Sequence, residues 1–244
     1  MNRLVIIRHG LTEWTTRFTG WTDVDLAEAG VALTKKYASK LKSEGYTFDI
    51  GYTSVLKRGI RTLEITLETL GLTNIPVVKD WHLNERHYGA LQGLNKAETA
   101  KKYGDEQVLL WRRSFATPPP PLPKTDPTHP INDPKYKDID KSLLPDSESL
   151  KNTYERVIPY FKSQIIPAIS AGKKVILSGH SNSIRAIVKF LENIPDDKIP
   201  TVNIPYCIPL VYEFESGNFT RHYYLESPEV VEAAIESVKN QAKN

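Results

Sequence analysis

Two histidines stand where a buried strand would end, a placement suited to chemistry on a bound anion. LVIIRHG runs from four aliphatic residues into Arg8, His9 and Gly10, and KKVILSGH ends its apolar run at His180. Ligands of open parallel sheets bind beyond the carboxyl ends of the strands, so both histidines are expected to face one crevice. Gly10 permits close backbone approach, and Arg8 supplies charge beside an imidazole that can act as a nucleophile.

Arginines and a helix start would add positive charge at the same edge. Arg58 and Arg61 follow the second apolar run, FDIGYTS, and the turn after His180 leads into a helix whose N-terminus favours an anion. Guanidinium groups match phosphate oxygens bidentately, so these residues predict a pocket for a phosphoryl group. The sequence has no Gly-rich nucleotide loop and no obvious carboxylate cluster for Mg²⁺, which favours phosphoryl transfer through a histidine over nucleotide hydrolysis.

A metal site is the alternative for these histidines. His9, His87, His180 and Glu85 are ligand types that zinc accepts. They lack the close spacing of zinc motifs, so no metal is expected. The remaining histidines are interpreted as structural or exposed: His82, His129 and His222.

Alternating strand and helix patterns surround the candidate residues. Strands are predicted at 3–8, 48–54, 75–79, 173–180, 209–214 and 220–225. Helices are predicted at 24–45, 54–71 and 183–193, the second with an N-cap at Ser54 and an end at Gly71. This alternation predicts an α/β fold with a mostly parallel sheet flanked by helices on both faces.

The region 79–147 interrupts the alternation. Two helices are predicted at 95–103 and 105–115, followed by the proline-dense TPPPPLPKTDPTHPINDP, which should be extended and partly polyproline II. Composition alone favours a surface linker or loop, whereas a long excursion inside a compact domain is often a lid. A polyproline ligand for an SH3-type groove is a weaker alternative.

Composition limits the class of protein. The 244 residues carry a net charge of +3 from scattered lysines, arginines and acids, which gives no basic block for nucleic acid. Apolar runs of about four residues are too short for a membrane span, no secretory signal is visible, and the single Cys207 has no internal disulfide partner. A cytoplasmic protein without nucleic-acid or membrane partners is expected.

Longer segments resemble the cofactor-dependent phosphoglycerate mutases of the histidine phosphatase superfamily. They are RHGLTEW, RFTGWTDVDLAEAG, YTSVLKRGIRT, LNERHYGALQGLNKAET, WRRSF with its prolines, and NIP before PLVYEF. The resemblance runs from about residue 3 to about residue 240, and LNERHYGALQGLNKAET is specific to this branch. It implies one three-layer α/β domain, 1–244, in which 79–147 forms a lid and 226–244 a C-terminal helix and tail that folds over the site.

The resemblance also implies a reaction. An intramolecular phosphotransferase of glycolysis and gluconeogenesis would interconvert 3-phosphoglycerate and 2-phosphoglycerate through a phosphohistidine at His9, primed by 2,3-bisphosphoglycerate and without metal. Arg8, Arg58 and His180 would hold the phosphoryl group, and Glu85 would be the general acid and base. Substrate contacts would come from Thr12, Thr15, Thr19, Gly20, Arg86, His87, Tyr88, Lys96, Arg112, Arg113, Ser181 and Asn182. Partners would be small phosphorylated three-carbon acids, and a homodimer or homotetramer is expected.

Departures from the family pattern lie close to this chemistry. Thr12 and Thr15 replace a serine and an asparagine, and the segment from Trp14 to Arg17 is about two residues short. Ser181 replaces a glycine after His180, either with local strain or as an added donor, and Tyr206-Cys207 replaces a small pair. These changes keep alternatives open: a bisphosphoglycerate synthase or phosphatase, or a catalytically weakened paralogue that binds phosphorylated ligands. The synthase branch carries glycine at the position of Thr12, which favours the mutase.

Overall fold

A computed structural model describes residues 2–240 of the chain, and within them six strands form one mixed sheet. The strands are β1 (Asn2–Arg8), β2 (Ile50–Thr53), β3 (Val77–Lys79), β4 (Val175–Gly179), β5 (Leu210–Glu215) and β6 (Asn218–Tyr224). Their order in the sheet is β3-β2-β4-β1-β5-β6, and β5 runs antiparallel to both of its neighbours. The neighbouring pairs among β1 to β4 are parallel, as the sequence predicts.

Helices cover both faces of the sheet. They are α1 (Glu28–Ser43), α2 (Lys57–Leu70), α3 (Lys96–Tyr103), α4 (Asp105–Arg113), α5 (Leu150–Tyr160), α6 (Ile166–Ser170), α7 (Ser181–Leu191) and α8 (Pro228–Asn240). A π-helical turn at Phe161–Ile165 joins α5 to α6. None of the helices in the described part of the chain is long and apolar enough to cross a membrane.

The alternation of side chains along β1 divides the core between two layers. Leu4 and Ile6 pack with α5, α6 and α7, whereas Val5 and Ile7 pack with α1 and α2. Both faces of the strand are therefore buried, which explains its uninterrupted aliphatic sequence. The predicted three-layer arrangement is confirmed.

Register brings the two histidines to the same edge. Arg8 pairs with Gly179 across β1 and β4, and the His9 N–H donates to the Gly179 carbonyl at 3.0 Å. His180 directly follows Gly179, the last residue of β4. Because parallel strands end at one edge, the crevice expected from the sequence lies beyond β1, β2 and β4.

The segment between β3 and α5 is packed rather than loose. Pro119 and Leu122 are buried, the Leu122 N–H donates to the Asp146 carbonyl at 2.9 Å, and the Ala90 N–H donates to the Pro120 carbonyl at 2.9 Å. Short 3₁₀ turns at Pro130–Asn132, Pro134–Tyr136 and Lys141–Leu143 follow. The proline-dense stretch is thus a loop that is packed into the fold, and not a free linker.

The start of α2 differs from the sequence-based expectation. Helix α2 begins at Lys57 after Leu56, and not at Ser54, because the Ser54 hydroxyl is used by His180 and by the Leu56 N–H. Gly71 ends this helix in the left-handed conformation, as predicted. The C-terminal helix is α8, and the rest of the predicted tail, 241–244, lies outside the described residues.

Candidate active site

His9 and His180 converge at the edge of the sheet. Their ring centroids are 5.1 Å apart with an interplanar angle of 52°, close enough for both rings to reach one phosphorus atom. His9 is 6% exposed and His180 is fully buried. The convergence expected from the two strand ends is therefore present.

Both imidazoles are held in the neutral form. Burial is the main cause that lowers the pKa of His9 well below its usual value, and the charges of Arg58 and Arg8 lower it further. The pKa of His180 is lowered in the same way, by burial first and then by Arg58 and His9. A neutral ring keeps a lone pair, which a nucleophilic histidine requires.

The hydrogen bond of the His9 ring fixes which of its nitrogens carries that lone pair. His9 Nδ1 lies 2.7 Å from the Gly10 carbonyl oxygen, which can only accept, so Nδ1 carries the proton and Nε2 the lone pair. His180 Nε2 lies 2.7 Å from the Ser54 hydroxyl. Ser54 follows β2, and sequence analysis did not assign it to the site.

Arg8 and Arg58 are oriented by backbone carbonyls. Arg8 Nη1 donates to Ile204 at 2.7 Å, and Arg58 donates to Gly20 at 2.7 Å and Thr22 at 3.0 Å. Both guanidinium groups are at least nine-tenths buried. Their position is therefore set before any ligand arrives.

Glu85 is fixed through both its carboxylate and its backbone. Its Oε1 accepts the Arg86 N–H at 2.7 Å and the Asn182 N–H at 3.0 Å. Its carbonyl oxygen accepts from Trp21 Nε1 and from Arg156 Nη2. The segment that follows β3 thus places a carboxylate beside the first turn of α7.

Arg156 of α5 anchors the Glu85 segment. It forms a buried ion pair with Glu148 at 2.7 Å and donates to the carbonyls of Trp81, His82 and Asn84. An arginine with several acceptors in fixed positions is a rigid strut. Sequence analysis missed it, because nothing in its local pattern separates it from a surface arginine of a helix.

A second group of cations lies on the insertion, on α3 and α4. Burial and the neighbouring Arg112 lower the pKa of Lys96 to about 8. Burial also lowers the pKa of Arg112 and of Arg113. Burial is the largest effect on the pKa of Tyr88 and raises it, but the charge and hydrogen bond of Arg86 together with the charge of Arg112 outweigh the effects that raise it, and the pKa falls to about 8.

These residues form two ends of one pocket. We call Arg8, His9, Arg58 and Glu85 the histidine end, together with His180, which contacts His9 but is fully buried and does not itself line the cavity. We call Tyr88, Lys96, Arg112 and Arg113 the arginine end. The cavity between them has a volume of about 120 Å³. Among the described residues that line it, Glu85 is the one acid, and the cations are Arg8, Arg17, Arg58, Lys96, Arg112, Arg113 and Arg185.

Most residues predicted from the sequence lie at this pocket. The lining includes Arg8, His9, Thr12, Thr15, Thr19, Gly20, Arg58, Glu85, Tyr88, Lys96, Arg112, Arg113, Ser181 and Asn182. Lining residues that sequence analysis did not assign are Trp14, Arg17, Phe18, Arg185, Asn203, Tyr206 and Val238. Arg185 had a detectable signal, since it lies one helical turn beyond Asn182, whose amide oxygen it contacts at 2.9 Å.

Some expectations need correction. Arg61 is half-buried and pairs with Asp25 at 2.9 Å, and it does not line the pocket. Arg86 and His87 are fully buried behind the wall, where Arg86 donates to the Arg112 carbonyl and His87 accepts from the Gly89 N–H. The expected contact of these two residues with substrate is therefore wrong. Their side chains point into the protein, where they support the residues that line the cavity.

The departures around Ser181 and Cys207 have different consequences. Ser181 is the first residue of α7 and, unlike Cys207, is absent from the described residues with positive φ, so its backbone needs no glycine. Cys207 has φ of 60°, a left-handed conformation that costs a non-glycine residue about 1–2 kcal/mol. The strain therefore falls in the loop before β5 and spares the turn after β4.

The segment with Thr15 still contacts the insertion. Lys96 Nζ donates to the Thr15 carbonyl at 2.9 Å, and Arg17 donates to the Gly93 carbonyl at 2.7 Å. The Thr15 side chain is exposed at the pocket mouth. The shortened segment thus remains part of the lining.

Comparison with known proteins identifies related chains. The model of the family described as histidine phosphatase superfamily (branch 1) matches residues 4–225. Mycobacterial glucosyl-3-phosphoglycerate phosphatase has a similar structure, with a TM-score of 0.67 and 20% identity over 92% of this chain and 97% of that one.

Two further solved structures share the fold. YhfR of Bacillus stearothermophilus has a TM-score of 0.67 and 21% identity over 90% of this chain and 95% of that one. The alpha-ribazole phosphatase of Shigella flexneri has a TM-score of 0.67 and 14% identity over 92% and 96% of the two chains. At these identities the likeness shows the fold alone.

Proposed function

The chain belongs to the histidine phosphatase superfamily, branch 1, and from this premise we propose that it transfers a phosphoryl group through His9. The finer proposal is the interconversion of 3-phosphoglycerate and 2-phosphoglycerate, primed by 2,3-bisphosphoglycerate. The observation that carries it is one small pocket with cations at two ends.

His9 is the nucleophile of the proposed reaction. Its Nε2 lone pair attacks the phosphorus of a phosphate ester, the P–O bond to the substrate carbon skeleton breaks, and a P–N bond forms. Arg8 and Arg58, with His180, surround the position of the transferred group. Since these donors are held in place by protein groups, they stabilise the charge of the transition state without reorganising.

Glu85 moves the proton. When the ester P–O bond breaks, the protonated carboxyl gives its proton to the departing oxygen, and in the reverse transfer the carboxylate takes the proton from the attacking hydroxyl. The Asn182 and Arg86 N–H groups fix the position of Oε1 during these steps. The proton thus returns to the same group after each pair of transfers.

The arginine end suits a second anionic group of the same ligand. A phosphoglycerate carries a carboxylate as well as a phosphate, and the pairing of guanidinium with carboxylate is among the strong charge-assisted hydrogen bonds. A cavity of about 120 Å³ is small beside ligand pockets of about 300–1,000 Å³. Small size and the excess of cations both favour a compact ligand with several negative charges.

The same residues fit 2,3-bisphosphoglycerate, which would supply the first phosphoryl group to His9. Its two phosphates and carboxylate match an excess of cations over the single acid of the described lining. Lys96, Arg112 and Arg113 would hold the groups that are not being transferred. Arg8 influences both ends, since its charge lowers the pKa of His9 and of Lys96.

A phosphatase is the second candidate. The similar structures include proteins described as phosphatases of glucosyl-3-phosphoglycerate and of alpha-ribazole phosphate esters. In that reaction water, and not a substrate hydroxyl, would attack the phosphohistidine and release inorganic phosphate. The insertion from 79 to 147 supports the mutase, because it supplies Glu85 and the whole arginine end of the lining, and cover over the site protects a phosphohistidine from water.

One preparation distinguishes these activities. Formation of 2-phosphoglycerate from 3-phosphoglycerate is followed through coupled enolase, with and without 2,3-bisphosphoglycerate, and phosphate release is measured in parallel. The mutase predicts primer-dependent turnover that exceeds phosphate release. Phosphate release without isomerisation would contradict the mutase and support the phosphatase. The absence of both activities would favour a protein that only binds phosphorylated ligands.

A further inference from the structure

Tyr206 forms an aromatic wall against the histidine end. The Arg8 guanidinium carbon Cζ lies 3.7 Å from the centroid of the Tyr206 ring. The ring centroids of Tyr206 and His9 are 5.8 Å apart, with an interplanar angle of 64°. Tyr206 and His9 both line the cavity, so a ligand bound at His9 lies close to this ring.

The loop that carries Tyr206 is fastened to Arg8 on both sides of the ring. Arg8 donates from Nη1 to the Ile204 carbonyl at 2.7 Å, and the Cys207 N–H donates to the Arg8 carbonyl at 3.0 Å. The Ile208 N–H donates to the Tyr206 carbonyl at 2.7 Å. The ring therefore has little freedom to move away from the cavity.

The same loop reaches the arginine end. Arg113 Nη1 donates to Asn203 Oδ1 at 2.9 Å, three residues before Tyr206. Cys207, on the other side of Tyr206, keeps a left-handed backbone although it is not glycine. Strain that persists in a lining loop is compatible with a functional demand on the position of that loop.

Resting on the proposed function, we propose that Tyr206 is a specificity-determining residue that limits the alcohol part of the phosphate ester to a small acyclic group. Its ring narrows the passage beside His9 and keeps the Arg8 guanidinium stacked against the wall. An ester with a bulky ring would collide with Tyr206 before its phosphorus reached His9. A three-carbon acid would pass beside it.

The test compares two phosphorylated compounds in one assay that does not require mutase activity. Hydrolysis of p-nitrophenyl phosphate is followed by release of p-nitrophenolate, as His9 takes the phosphoryl group and water then removes it. The inhibition constant of 3-phosphoglycerate is measured in the same reaction. We define a selectivity ratio, in which kcat/KM for the aryl ester is divided by the affinity for 3-phosphoglycerate. The affinity is the reciprocal of the inhibition constant.

Removal and enlargement of the ring should move this ratio in opposite directions. Tyr206→Ala is expected to raise it about tenfold, because the passage opens and the stacking on Arg8 is lost. Tyr206→Trp is expected to lower it. Tyr206→Phe keeps the ring and should leave the ratio within about threefold of wild type. Tyr103→Ala, at an exposed tyrosine of α3, is the matched control.

Unchanged ratios in both Tyr206→Ala and Tyr206→Trp, with wild-type circular dichroism, would overturn the proposal. If Tyr206→Ala does not fold, the Tyr206→Trp result alone decides. The proposed mutase fails by a different observation, the lack of primer-dependent isomerisation in wild type. If wild type also releases no p-nitrophenolate, the ratio is taken from the equilibrium dissociation constants of phenyl phosphate and 3-phosphoglycerate, which require no turnover, so the failures are distinguishable.

Discussion

The histidine end and the arginine end differ in how the fold supports them. Residues of the histidine end follow parallel strands β1, β2, β3 and β4, and their side chains are nearly fully buried. Residues of the arginine end lie on or before the short helices α3 and α4, and they are half-buried. The first end is part of the core, whereas the second is attached to it through contacts such as Arg113 to Asn203.

This difference predicts a division of labour. Charge develops at the phosphorus, where donors held by the core stabilise a transition state most effectively. Groups on short helices can bind a distant anion almost equally in the ground state and the transition state, which affects KM more than kcat. Variants at the two ends should therefore change different kinetic constants.

The largest expected effect is at the nucleophile. His9→Ala removes the atom that accepts the phosphoryl group, so kcat should fall by at least about 10⁴-fold. Acid-labile labelling by ³²P from labelled 2,3-bisphosphoglycerate should disappear as well. His222→Ala, at an exposed histidine of β6, is the matched control. Retained labelling in His9→Ala would place the nucleophile elsewhere and remove the contrast between the ends.

The next effect tests the arginine end. Arg113→Ala should raise KM for 3-phosphoglycerate about 10- to 100-fold, the value of a hydrogen bond to a charged group, while kcat changes less. Steady-state kinetics of this variant and of Arg221→Ala on β6 measure the difference. A fall in kcat with unchanged KM would show that the arginine end acts in the transition state, contrary to the division of labour.

Sequence reasoning succeeded where backbone topology alone decides the outcome. An apolar run that ends at His9 and another that ends at His180 must meet if the strands are parallel neighbours, and β1 and β4 are such neighbours. The same reasoning placed Arg58 near the start of α2. The layers of the fold followed from the same alternation of strands and helices.

Sequence reasoning failed where the contacts of individual side chains decide the local structure. Ser54 is a good N-cap residue by type, but its hydroxyl contacts His180, so the helix begins later. His87 and Arg86 belong to the motif of the family but point into protein. Arg156 acts over a long sequence distance, which no local pattern records. Tyr206, by contrast, was noted from the sequence as a departure from the family pattern near the site, although its contact with Arg8 was not predicted.

A third prediction concerns the stability of the histidine end in acid. The pKa values of His9 and His180 are lowered in the folded protein. Below the unfolded pKa of about 6.5, the unfolded chain therefore binds more protons than the folded protein. The free energy of unfolding consequently decreases as the pH decreases. Each histidine adds about 1.4 kcal/mol of loss per pH unit until its folded pKa is reached. Burial also lowers the pKa of His87, to about 3, which adds a similar slope.

The comparison of wild type with His9→Gln isolates one of these contributions. Urea unfolding in phosphate-free buffer between pH 6.5 and 5.5 should give a shallower decline in the variant, by about 1 kcal/mol over the interval, because the unfolded histidine is only half protonated at pH 6.5. This window lies above the range in which most carboxylates titrate. Equal slopes would mean that His9 is not kept neutral by folding, and the rigid, buried character assigned to this end would be lost.

The smallest effect is at Lys96 and appears at alkaline pH. Its pKa of about 8 means that its charge is present below pH 8 and lost as pH rises through that value. Since kcat/KM reports the free enzyme, kcat/KM for an anionic substrate should fall above about pH 8. Lys96→Met should lower kcat/KM about tenfold at pH 7, since it removes a charged hydrogen-bond donor, and should flatten the decline.

Ionisation of Tyr88, whose pKa is also about 8, leaves part of that decline in the Lys96→Met variant, because a phenolate repels the same anion. Lys101→Met, at an exposed lysine of α3, should keep the wild-type profile. If Lys96→Met retained the full alkaline decline, the titrating group would be Tyr88 alone. The arginine end would then sense pH through its aromatic residue, and its lysine would be a simple positive charge at every pH in the range.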